Sequence, residues 1–149
     1  MGRMTEDLGL TERAANIAVV DLFLNSLRDK DTETAAKLVD DNIVYENVGF
    51  SRLRGAQKVL KVFDLAQRPS FGFDVVTHRS AADGPVVLNE RTDLLRFGRF
   101  QTTFWVCGVF EVHDGKITLW RDYFDNVNFL KGAARGLAGT VFPALRPSL

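Results

Sequence analysis

The chain has 149 residues, 46% of them hydrophobic, and its 19 basic residues balance 19 acidic ones. That is one domain of ordinary length with enough apolar material for a core, and the neutral balance removes the electrostatic reason to expect nucleic acid or an anionic membrane as partner. No apolar run approaches the roughly 20 residues needed to span a bilayer, and the single cysteine, Cys107, excludes an internal disulfide and makes the cytoplasm the default compartment.

Residues 1–10 are polar, carry both signs of charge and lack an apolar stretch of the signal-peptide kind. They are expected as a flexible arm on a single domain spanning 1–149. From Thr11 to about Arg28, Ile17, Val20, Leu24 and Leu27 recur at helical spacing. Asp31 and Thr32 cap a short second helix running to Val39. Ile43 to Val48 reads as a strand, and Gly55 to about Gln67 as a helix with Val59, Leu60 and Phe63 on one side. Four strand-like runs follow, at about 71–80, 85–97, 99–112 and 116–125. They are separated by Asp83-Gly84-Pro85, Gly98 and Asp114-Gly115, the last a two-residue hairpin signal. A final helix from about Asn126 to Leu137 is weakened by glycines at 132, 136 and 139. The tail from Val141 packs on the domain or on a second subunit. Helices followed by an antiparallel meander make an α+β pattern.

Strand side chains alternate faces. One face of the third-to-last strand holds Asn89, Arg91, Asp93 and Leu95; one face of the last holds Thr118, Trp120, Asp122 and Phe124. A carboxylate between two large aromatic neighbours is desolvated and needs a partner. A two-residue Asp114-Gly115 loop sets His113 against Lys116 and Asp122 against Cys107. A three-residue loop at Gly98 sets Phe97 against Gln101 and Cys107 against Arg91. Arg91, Cys107 and Asp122 then form one row, with about 9.6 Å between its outer members, a span that a guanidinium can cover. A two-residue loop at Gly98 breaks that row. Two carboxyls sharing one arginine in unlike environments are the layout of a general base paired with a general acid; the bland alternative is a structural ion-pair network. On the earlier strand, Tyr45 and Asn47 share a face, and a phenol and an amide two residues apart can jointly hold a water molecule.

Tyr45-Glu46-Asn47, the run Glu90-Arg91-Thr92-Asp93-Leu94-Leu95-Arg96, and the run Gly115 to Asp125 containing Trp120-Arg121-Asp122-Tyr123-Phe124 together resemble the limonene epoxide hydrolase family, as does Gly108-Val109-Phe110. The resemblance covers roughly residues 13–130 in matching order, with a shorter loop near Gly98. It implies a nuclear-transport-factor-like cone, a curved mixed sheet wrapped by about four helices around a deep apolar pocket, and it implies a homodimer. It implies a one-step addition of water to an epoxide, giving a vicinal diol without metal, cofactor or covalent intermediate. By the same resemblance, Asp122 is the general base, Tyr45 and Asn47 hold the water, Asp93 is the general acid and Arg91 bridges the aspartates. Phe, Leu, Val and Trp around such a pocket point to a lipophilic epoxide.

Other residues carry less. Cys107 has no histidine placed to activate it and reads as a small core residue. His78 and His113 are isolated, and no spacing suggests a metal site. Arg52 and Arg54 read as a solvated helix entry, Arg121 and Asp125 as surface or dimer charges. The cone fold hosts several functions. Alternatives are therefore a ketosteroid-isomerase-like or polyketide-cyclase-like enzyme, or a non-catalytic small-molecule-binding module.

Overall fold

Helix α1 (Gly2–Arg28) buries Val20, Leu24 and Leu27 of the expected stripe, leaves Ile17 partly buried and adds Phe23. The protein is described by a computed structural model covering residues 2–149, so Met1, the first residue of the expected arm, lies outside it. Residues 2–10, expected as an arm, continue α1 as helix with almost every side chain exposed. Helix α2 (Thr32–Lys37) starts where Asp31 accepts a hydrogen bond from the Thr34 amide. It stops short of the expected Val39 because that residue already begins β1 (Val39–Asn47).

Strand β2 (Leu53–Arg54), expected as a helix entry, pairs antiparallel with β1 instead. Gly55 takes φ +92° to turn the chain into α3 (Ala56–Ala66), which buries Val59 and Phe63. The meander follows as β3 (Phe71–Asp83), β4 (Val86–Phe97), β5 (Phe100–His113) and β6 (Lys116–Phe124). At its last turn Asp114 and Gly115 both adopt positive φ, 51° and 75°, the backbone that a two-residue hairpin loop demands.

The six strands form one sheet in the order β2-β1-β6-β5-β4-β3. All pairings are antiparallel except β1 with β6, so the sheet is mixed. Helices α1 and α3 close its inner face, where Phe23 meets Phe63 and stands edge-on to Trp120 at 5.0 Å between ring centroids. Helix α4 (Asn126–Val141), capped by Asp125, runs a turn beyond the expected end. Its glycines explain its place. A Cβ on Gly132 or Gly136 would sit 2.6 Å from the carbonyl oxygen of Thr103 or Gln101, so the residues that weaken the helix alone let it lie against β5. The tail folds back on its own domain, with Pro147 accepting from the Gln101 amide and Leu145 from Arg135. The result is an α+β cone, a curved mixed sheet wrapped by four helices. Among the described residues no helix is long and apolar enough to cross a membrane.

Candidate active site

Two details of register differ from expectation. The Gly98 loop has two residues, not three, because Phe97 pairs with Phe100; Arg91 therefore faces Val106. The last hairpin keeps His113 against Lys116, but a bulge at Thr118 adds one residue to β6, and Asp122 faces Gly108 rather than Cys107. Each shift alone would flip a face. Together they cancel, so Arg91 and Asp122 remain on the inner face. The expected row through Cys107 is replaced by Asn89–Gly108–Asp122, and Cys107 pairs with Glu90 and Tyr123, half-buried away from the cluster.

Arg91 is completely buried, yet its guanidinium touches three residues. Its Nε and Nη2 donate to the two oxygens of Asp93 at 2.8 and 3.1 Å, a bidentate pairing. Its Nη2 also lies 2.7 Å from Asp122 Oδ1, an ion pair set off the direction of a good hydrogen bond. Its Nη1 donates to Asn89 Oδ1 at 3.1 Å. Asp122 Oδ2 accepts a hydrogen bond of 3.1 Å from the Trp120 indole. Parallel pairing sets Tyr45 beside Trp120 and Asn47 beside Asp122. There Asn47 Nδ2 donates to Tyr45 Oη at 2.8 Å, and the tyrosine ring lies tilted against Trp120 with 4.1 Å between ring centroids.

Burial outweighs the neighbouring charges at two of these groups. It pushes the Asp93 carboxyl up to about 6 even though Arg91 pulls the other way. It pushes the Tyr45 phenol up to about 12, with the negative charge of Asp122 adding to the effect. The phenol therefore keeps its proton. Since Tyr45 Oη already accepts from Asn47, that proton is available to a third group, and Asn47 Oδ1 is available as acceptor. Aspartates 93 and 122 contact the same cation and are both buried, at 4% and 5% exposure.

A cavity of about 370 Å³ opens onto this cluster. Asp93, Asp122, Tyr45 and Asn47 line it, while Arg91 stands behind them. The remaining wall is apolar: Leu27 from α1, Val62 and Phe63 from α3, Phe73 and Leu95 from β3 and β4, and Phe104, Phe124 and Phe129 at the other end. The structure thus brings all five expected residues to one place. Sequence reasoning missed that Trp120 is a donor to Asp122 rather than only an apolar flank, and gave no part to Asn89 or Gly108. Shared strand parity with Asp122 and Arg91 was the signal for the first two.

Charges read as surface groups also have local work. Glu46 lies between Arg52 at 3.1 Å and Arg121 at 3.0 Å, tying β1 to β6 and to the start of β2. Among the described residues no group of three or more His, Cys, Asp or Glu is placed to hold a metal ion.

Residues 14–135 match the model of the limonene-1,2-epoxide hydrolase catalytic domain. The chain is 50% identical over 130 residues, 87% of each protein, to the epoxide hydrolase EphG of Mycobacterium tuberculosis. It superposes with a TM-score of 0.88 and 48% identity on the structure of an M. tuberculosis epoxide hydrolase of the limonene epoxide hydrolase type, over 93% of this chain and 98% of that one. An NTF2-like protein from Cytophaga hutchinsonii shares the fold at 18% identity and a TM-score of 0.63, over 77% of this chain and 94% of its own.

Proposed function

The chain belongs to the limonene-1,2-epoxide hydrolase family and is an epoxide hydrolase, and from that premise we propose that its buried aspartate pair opens a lipophilic epoxide in one step. In this reading Asp122 is the general base. A water held against it gives one proton to Asp122, gives its other hydrogen to Asn47 Oδ1 as a hydrogen bond, and accepts from the Tyr45 hydroxyl. That leaves one lone pair of the water aimed at an epoxide carbon. As its oxygen bonds to carbon, the carbon–oxygen bond of the ring breaks, and the departing oxygen takes the proton of Asp93. Push and pull act together, each worth about 10²–10⁴-fold.

The single observation that carries this reading is that one guanidinium contacts both carboxylates at the floor of an apolar cavity. With Asp93 protonated and Asp122 ionised, the cluster of one cation and one anion is neutral. After ring opening Asp122 holds the proton and Asp93 the charge, and the cluster is neutral again. Arg91 balances the anion on either side, so little charge reorganisation is needed at the moment of reaction. The raised Asp93 carboxyl supports its part as acid, and the protonated Tyr45 phenol supports its part as donor.

The reading extends to a homodimer in the cytoplasm, a setting that the single free Cys107 fits. A ketosteroid-isomerase-like or cyclase-like reaction has no use for an arginine bridging two aspartates, and nothing in the cavity favours a pure binder. The test is turnover of a panel of lipophilic epoxides in ¹⁸O-water. Vicinal diol should form with one ¹⁸O in the first turnover and none retained on the protein. Absence of diol with every epoxide, or label passing through an aspartate, would remove the proposal.

A further inference from the structure

The Arg91 guanidinium has five N–H donors. Its Nε and Nη2 edge is taken by the two aspartates, and the Nη1 end points away from both. Buried at 0% exposure, that end cannot be left to water, and an unpaired donor on a buried charge is costly. It meets Asn89 Oδ1 at 3.1 Å. Asn89 is itself 2% exposed, and its Nδ2 has no hydrogen-bond partner. A leucine of similar size would avoid that second cost, so the amide is present for the oxygen it offers to Arg91. It is also neutral. An aspartate there would serve as acceptor equally well, but it would add a third carboxylate to a cluster whose one cation already serves two.

Gly108 makes the arrangement possible. It lies between Asn89 and Asp122 in the strand register. A Cβ on it would be 2.3 Å from Arg91 Nη1, 2.5 Å from Asn89 Oδ1 and 2.8 Å from the Phe110 ring. The missing side chain is the slot in which the guanidinium and the amide meet, with the Phe110 ring 5.9 Å from the guanidinium carbon.

We propose that Asn89 is a positioning residue for epoxide opening: a neutral anchor, seated over Gly108, that fixes the Arg91 guanidinium where it reaches both aspartates and keeps the cluster at one cation to two carboxyls. The inference rests on the roles given above to Asp93, Asp122 and Arg91.

The test measures kcat, KM and the pH profile of epoxide hydrolysis for Asn89→Asp, Asn89→Leu and Asn89→Ser beside wild type and Asp122→Asn. Asn89→Asp keeps the shape and adds charge. It should make Asp93 harder to ionise and move the alkaline limb of the profile up by about one pH unit. Asn89→Leu or Asn89→Ser, whichever is the better folded by thermal melting, should lose about tenfold or more in kcat with KM within about twofold, since Asn89 does not line the cavity. A purely structural asparagine would lower melting temperature and leave kcat of the folded Leu or Ser variant where it was. An unmoved limb in Asn89→Asp overturns the proposal by itself. So does a wild-type kcat in the folded Leu or Ser variant. If instead Asp122→Asn retains wild-type turnover, it is the assignment of the aspartates that fails.

Discussion

Arg91 and Asp122 form a 2.7 Å ion pair although their strands, β4 and β6, do not touch; β5 runs between them. What closes the distance is Gly108, the β5 residue directly opposite Asp122, over which the guanidinium lies. A buried pair of this kind is weak evidence of stabilisation, because desolvating both charges costs several kcal/mol. Its value is the placement of charge beside the cavity, and the expected consequences can each be measured.

Asp122→Asn and Asp93→Asn keep volume and remove, in turn, the proposed base and the proposed acid. Each should lower kcat by at least about 10²-fold while the melting curve stays cooperative. Full activity in either variant, read as diol formed per enzyme, would take that residue out of the mechanism.

The pH profile should follow Asp93. Its carboxyl is pushed up to about 6, and the acid role proposed for it uses the protonated form. The value of kcat/KM should therefore fall as pH rises through about 6, approaching tenfold per unit. Stability has the same sign. A carboxyl raised in the folded state from its ordinary 3.8 contributes stability that is full below about pH 4 and is lost as pH climbs through about 6. Denaturant titrations of wild type and Asp93→Asn across that window should show the loss only in wild type.

Gly108→Ala places a methyl group 2.3 Å from Arg91 Nη1, where something must move. Overpacking of this kind costs about 1–3 kcal/mol, and here the displaced group is the bridge itself. The variant should melt at lower temperature and lose most of its turnover. Full retention of activity at a lowered melting point would show that the guanidinium tolerates a shift.

Trp120→Phe keeps an aromatic wall and removes the indole donor to Asp122 Oδ2. A hydrogen bond to a charged group is worth roughly 1.5–3 kcal/mol. Without it the carboxylate proposed as base is freer to turn, so kcat should fall about tenfold or more. Tyr45→Phe is the companion: it removes the acceptor of Asn47 and the proposed donor to the water, and should lower kcat without moving the Asp93 limb.

Much of the site was legible because the strand period is fixed at two. Parity alone put Asn89, Arg91 and Asp93 on one face and Trp120, Asp122 and Phe124 on another, and charge at apolar positions marked them. The register was not legible. The bulge at Thr118 and the two-residue loop after Phe97 are each a one-residue matter decided by local backbone geometry and by packing across the sheet. The expected row erred at both and still reached the right faces, because two one-residue shifts restore parity.

By itself, then, the sequence determined the α+β order of elements, the neutral surface, the apolar cavity wall and the identity of the five residues proposed for catalysis. The first three follow from periodicity and composition, and the five residues from strand parity together with the resemblance of local motifs to the family. Only the tertiary structure decided that Gly108, not Cys107, stands between the charges, that Asn89 takes the third side of Arg91, and that burial outweighs a touching cation at Asp93. Each of these depends on strands distant in sequence meeting at ångström precision and excluding water together, and desolvation is a property of that assembled interior, not of any one segment.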